Sequence, residues 1–127
     1  MVAPHPARSV IAWVAAAPKH QLFTTAICEA ELFYGMERMP AGRRRDGLRV
    51  AIEAILDGLS GRVLPFESVA ARAYAGLVAQ REATGRSMSQ SDAQIGAIAI
   101  AHKATLVTRN TRDFANSGIE LLNPWLV

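Results

Sequence analysis

Three carboxylates, Glu31, Asp92 and Asp113, stand where strand-like runs meet helical ones. Glu31 lies in the helical run that follows the strand-like segment 21–25. Asp92 falls in the first turn of a helical run over 89–102. Asp113 comes just past the strand-like run Thr105–Thr108. In a parallel sheet, the C-terminal ends of the strands and the loops after them line one edge, and ligands bind there. Carboxylates gathered at such an edge repel one another unless a cation lies between them. Magnesium suits the place, because it takes one or two carboxylates, keeps several waters and bridges to a phosphate. Each acid also has a plain structural explanation. A helix N-terminus stabilises Asp92 without any metal. Glu31 fits a solvated surface, and Asp113 before Phe114 fits a helix cap or an Asx-turn.

The elements that must position these acids alternate along the chain. A first helix is expected with Val10, Trp13 and Val14 on one face, capped by Ser9 or primed by Pro6. Gln21–Thr25 reads as a short buried strand. Ala26–Tyr34 reads as a helix stopped by Gly35, and Met39–Gly42 as a loop. From Arg44 to Leu59, Leu48, Ile52, Ile55, Leu56 and Leu59 recur at helical spacing. Arg62–Phe66 reads as a strand, and its Pro65 favours an edge. Glu67–Thr84 is expected to be helical with Val69, Ala73, Leu77 and Val78 inward, ending at Gly85. Ser89 or Ser91 can cap the next helix, whose Ala93, Gly96, Ala97, Ala99 and Ala101 suit close packing. Thr105–Thr108 and Ile119–Leu122 read as strands. Strands separated by helices favour an α/β domain with a parallel sheet.

Composition removes several classes. The 127 residues are half apolar and carry a net charge of +3, which fits one globular domain over residues 1–127. The basic excess is arginine, a rigid fork of donors suited to phosphate and carboxylate. A single cysteine, Cys28, fits a reducing, cytoplasmic setting and is expected to pack as a small apolar residue. One Cys and three scattered histidines give no zinc spacing. Apolar runs are too short for a membrane span. Arg8 before Val10–Ala17 has the outline of a secretory signal, but the run is short and follows Pro4 and Pro6, so the helical reading is preferred. No G-x-G-x-x-G or Walker loop is present, which counts against a nucleotide-binding domain. Arg43, Arg44, Arg45 and Arg49 form the densest basic run. Three cations at a helix start oppose the dipole, so an anion or acidic partner would relieve them; a solvated helix start is the simpler reading. Glu29, two residues from Glu31, belongs on another face.

Five segments carry a resemblance. Ala30-Glu31-Leu32-Phe33-Tyr34-Gly35 resembles the Ala-Glu-Leu-x-x-Gly segment of the PIN-domain ribonucleases. Ser91–Ala99 is similar to their Asp-opened helix of small and aliphatic residues. Thr108-Arg109-Asn110-Thr111-Arg112-Asp113-Phe114 is very like their Thr-Arg-Asn-x-x-Asp-Phe segment. Arg62–Phe66 and Asn123-Pro124-Trp125 resemble the FitB-like branch of the VapC toxins. The likeness runs from about Pro4 to Val127. That family opens with a hydrophobic strand ending in Leu-Asp-Thr-Asn, whose Asp is its first metal-binding carboxylate, and no such segment precedes Pro4 here. The fold implied is α/β, a PIN-like three-layer domain with a parallel sheet flanked by helices and the first strand missing.

The resemblance implies hydrolysis of RNA phosphodiesters with Mg²⁺, or Mn²⁺ in its place. Glu31, Asp92 and Asp113 then become both the metal ligands and the catalytic set, with Asp113 the weaker ligand. Asn110, Thr108, Arg109 and Arg112 become the substrate-binding set. It also implies a homodimeric toxin held by a VapB-type antitoxin, with no membrane partner. The missing first Asp gives a second reading: a degenerate PIN domain that binds its antitoxin and dimerises without cleaving.

Overall fold

The computed structural model describes residues 21–59, 62–108 and 111–123, together with Ala16 and Pro18. The expected first helix, Arg109, Asn110 and Trp125 lie outside the described residues. In chain order the elements are β1 (Thr24–Thr25), α1 (Ala26–Glu37), α2 (Arg43–Gly58), β2 (Val63–Leu64), α3 (Ser68–Ala83), α4 (Gln90–Ala101), β3 (Leu106–Val107), a 3₁₀ turn (Thr111–Phe114) and β4 (Leu121–Leu122). The α/β organisation with parallel strands is as expected.

Local chemistry explains most boundaries. The Thr25 hydroxyl caps α1 by accepting from the Cys28 amide at 3.0 Å. The helix runs through Gly35 to Glu37 rather than stopping at the glycine. A helical glycine costs up to about 1 kcal/mol but breaks nothing. Pro40 ends the run more effectively, because it pushes the residue before it out of the helical region. The Ser89 hydroxyl accepts from the Asp92 amide at 3.2 Å and caps α4. Helix α3 closes on Gly85 at φ +70°, with Arg86 N–H donating to Arg81 O at 2.9 Å and Gly85 N–H to Glu82 O at 3.1 Å. That is the Schellman arrangement, and it needs a left-handed residue where glycine stands.

The strands form two separate parallel pairs among the described residues, where one sheet was expected. β1 pairs with β2 in the register Thr24–Val63, and β3 with β4 in the register Leu106–Leu121. A cavity of about 800 Å³ lies between the pairs, lined by Thr24 and Thr25 from one and Leu106 and Val107 from the other, with Ile95 and Ile98 of α4. No described strand joins the two. Cys28 and His102 also line this cavity, and His102 is the C-cap of α4.

The core centres on α4 packed against α3. Ala93, Ala97 and Ile98 are fully shielded from solvent. Gly96 permits the closest approach: a Cβ there would stand 3.0 Å from Ile119 Cδ1 and 3.2 Å from Leu77 Cδ2. The buried face of α3 is Ala70, Leu77 and Arg81. Val69, expected inward, is 66% exposed, because the buried stripe is one position out of phase with it. In α2, where Leu48, Ile52 and Ile55 recur at helical spacing, Ile52 is the buried residue, while Leu48 and Ile55 are 39% and 57% exposed.

Two helical glycines should therefore respond in opposite ways. Nothing lies within 4 Å of a Cβ at Gly35, so Gly35→Ala should stabilise by up to about 1 kcal/mol. Gly96→Val should destabilise by about 1–3 kcal/mol through overpacking. Urea melts of the two variants give the signs directly.

Candidate active site

The acids are delivered by helices that share an edge. Helix α1 starts where β1 ends. Helix α4 hands over to β3 after a short turn, so it runs back along the strands and begins at the end where β3 finishes. α1 and α4 are in contact. Glu31 is exposed in the middle of α1, and Asp92 is half-exposed in the first turn of α4. Neither makes an ion pair among the described residues, where both ion pairs belong to Glu37. Glu29, expected on another face from Glu31, is half-buried and less exposed than Glu31.

Asp113 is placed differently. It is exposed on the 3₁₀ turn and lines a second hollow of about 490 Å³, where Arg81, Arg86, Ser87 and Arg112 also stand. Among the described residues no three His, Cys, Asp or Glu side chains gather closely enough to hold a metal ion. The three acids are thus not brought into one cage. What the edge does offer is hard, water-exposed carboxylate oxygen on two touching helices. That donor set fits a hydrated Mg²⁺, which uses few protein ligands and completes its shell with water and phosphate. It does not fit zinc, which takes nitrogen and sulfur donors in a closed tetrahedron.

Thr108 continues the β3–β4 ladder, its amide donating to Leu122 O at 2.9 Å. Arg112 is exposed beside Asp113. The basic run at the start of α2 finds its anion inside the chain: Glu37 of α1 accepts from Arg45 at 2.7 Å and lies 3.5 Å from Arg49.

The turn that carries Arg112 and Asp113 is held from α3. Arg81 is only 5% exposed. Its Nη2 donates to Asp113 O at 2.7 Å and its Nη1 to Ala115 O at 2.6 Å. Gln80 Nε2 donates to Asn116 O at 3.1 Å, and the Ser117 hydroxyl donates to Phe114 O. Phe114 is buried and reaches Gly96 from the same turn. Arg81 was not singled out from the sequence. The signal was there, since it lies four residues after Leu77 and eleven after Ala70, in phase with the buried stripe.

The PIN-domain family profile matches residues 1–118. The chain belongs to the PIN-domain family. It is 41% identical over 121 residues to the VapC ribonuclease Y4jK of Sinorhizobium fredii (strain NBRC 101917 / NGR234), covering 94% of this chain and 86% of that protein. It is 31% identical over 123 residues to toxin FitB of Neisseria gonorrhoeae (strain ATCC 700825 / FA 1090), covering 96% of this chain and 88% of the toxin. Among solved structures, FitAB bound to an IR36 DNA fragment superposes with a TM-score of 0.91 at 30% identity, covering 97% of this chain and 87% of that one. Within the PIN family the FitB-like VapC branch is the one these similarities support, as the sequence segments implied.

For this PIN domain the Arg81 contacts make a definite stability claim. Truncation to Ala leaves two carbonyls without their charged donor and removes a buried guanidinium. Arg81→Ala should lower stability by about 3 kcal/mol and accelerate amide hydrogen exchange in 113–118 more than in α1. Equal acceleration in both places would show that the side chain does not hold the turn.

Proposed function

We propose that this chain is the toxin of a type II toxin–antitoxin pair, a Mg²⁺-dependent endoribonuclease acting in the cytoplasm on RNA phosphodiesters. The observation that carries the reading is the contact between α1 and α4, the helices that bear Glu31 and Asp92, in a PIN fold. These two side chains would hold the ion, with Asp113 contributing through water from the neighbouring turn. A bound Mg²⁺ supplies charge neutralisation at the scissile phosphate and a water of lowered pKa. Thr108 and Asn110 sit in the segment that orients the substrate, and Arg109 and Arg112 are cations for its phosphates. Mn²⁺ has the same preference for oxygen donors and could replace Mg²⁺.

A homodimer is part of the proposal. Leu48 and Ile55 lie seven residues apart on one side of α2 and remain exposed, the kind of apolar surface a partner copy covers. The FitAB assembly supports a small antitoxin as the second partner. No described helix is long and apolar enough to cross a membrane, and none of these roles needs one.

The second reading, a PIN domain that binds its antitoxin without cleaving, draws on the absence of a three-donor group among the described residues. One assay separates the two. Purified chain incubated with RNA and Mg²⁺ should cleave, stop on chelation with EDTA, and lose activity by about 100-fold or more in Glu31→Gln or Asp92→Asn. Antitoxin binding with no metal-dependent cleavage would establish the binding module instead. Unchanged cleavage in both variants would remove these residues from the mechanism.

A further inference from the structure

The hollow beside the acidic edge has the opposite charge. Arg81, Arg86 and Arg112 converge there with Ser87, and Asp113 is the acid among its lining residues. Arg81 brings a nearly buried guanidinium whose Nη atoms spend their protons on main-chain carbonyls. Its Nε is buried with no hydrogen-bond partner. Carbonyl oxygens carry only partial charge, so the cation is not neutralised by them. All eleven Asp and Glu side chains lie among the described residues, and none of them forms an ion pair with Arg81, Arg86 or Arg112. Three guanidinium groups against one carboxylate leave a surplus of positive charge in a recess open to water. The Schellman turn fixes the recess on one side by tying Arg86 N–H to Arg81 O. The clamped turn fixes it on the other.

We propose that this hollow seats a phosphate of the RNA strand, within a few nucleotides of the one being hydrolysed. The inference rests on the ribonuclease reading and adds to it a subsite made of Arg86, Arg112 and Ser87, with Arg81 as the buried charge behind them. Ser87 is five residues from Asp92, so their Cα atoms are at most about 18 Å apart. A strand engaged at Asp92 therefore reaches the hollow within a few nucleotides. Arginine forks bind phosphate oxygens through paired N–H donors, and the Ser87 hydroxyl adds a neutral one. An acidic segment of a protein partner would meet the same charges. The bound of about 18 Å between Ser87 and Asp92, within reach of a strand engaged at Asp92, favours RNA.

The test uses the full chain and the double variant Arg86→Ala/Arg112→Ala, both sites being exposed. Arg72→Ala, on α3 and outside the hollow, is the control. A fluorescent single-stranded oligoribonucleotide is titrated in EDTA at several salt concentrations. The double variant should bind about tenfold more weakly, and its slope of log K against log salt should shrink by about 0.7 for one lost phosphate contact. With Mg²⁺, its KM should rise. Arg72→Ala should change neither. Affinity and salt slope equal to the native chain would overturn the subsite while leaving the ribonuclease reading intact. An equal loss in Arg72→Ala would reduce the effect to net charge and also overturn it. Loss of antitoxin affinity with unchanged RNA binding would assign the hollow to the protein partner instead. No RNA binding by the native chain would remove the reading and the subsite together.

Discussion

A buried guanidinium with no carboxylate partner among the described residues holds the turn that carries Asp113. Arg81 reaches from α3 to the carbonyls of Asp113 and Ala115. Placing a charge away from water is costly unless polar groups surround it. Here main-chain oxygens take that role, and the arrangement binds a turn with little regular structure of its own to the most extensively packed helix pair in the domain. Phe114 enters the core from the same turn, and Gly96 leaves the room it needs. Clamp and close approach support each other. A Cβ at 96 would crowd Ile119 and Leu77 and touch the Phe114 ring at 3.4 Å, and without the arginine the turn's carbonyls would lose their donors.

The consequence is a surface with two kinds of charge side by side. The Asp92 end of α4 and the exposed Glu31 of α1 carry anionic oxygen. The hollow between the end of α3 and the clamped turn provides arginine. The other cluster of arginines does a different thing. Arg45 and Arg49 turn toward Glu37 and join α1 to α2, an exposed contact worth little stability but enough to relieve cations crowded at a helix start.

The strands follow from the same economy of contacts. Each is only two residues long and has one described neighbour, so the sheet supplies direction more than stability. Helix packing carries the core, and the strands set which way the helices point. That direction places the starts of α1 and α4 at one edge, which is the condition for any chemistry shared between them.

The sequence by itself determined the order and type of the elements, the Thr25 and Ser89 caps, the PIN-family segments around Glu31, Asp92 and Asp113, and the α/β class. These are local properties: cap hydroxyls, helical and strand spacing, and short words of residues act within a few positions of one another. It misjudged Gly35, because a glycine weakens a helix without ending one. It placed Val69 inward, because spacing alone leaves the phase of a stripe free by one position, and only the neighbouring helix fixes it. Tertiary structure alone decided that Asp113 faces arginines rather than the other two acids, that Glu37 answers the basic run, and that Arg81 is buried. Each depends on which residues distant in sequence come within hydrogen-bonding reach, and only the folded packing of α3, α4 and the turn brings them there.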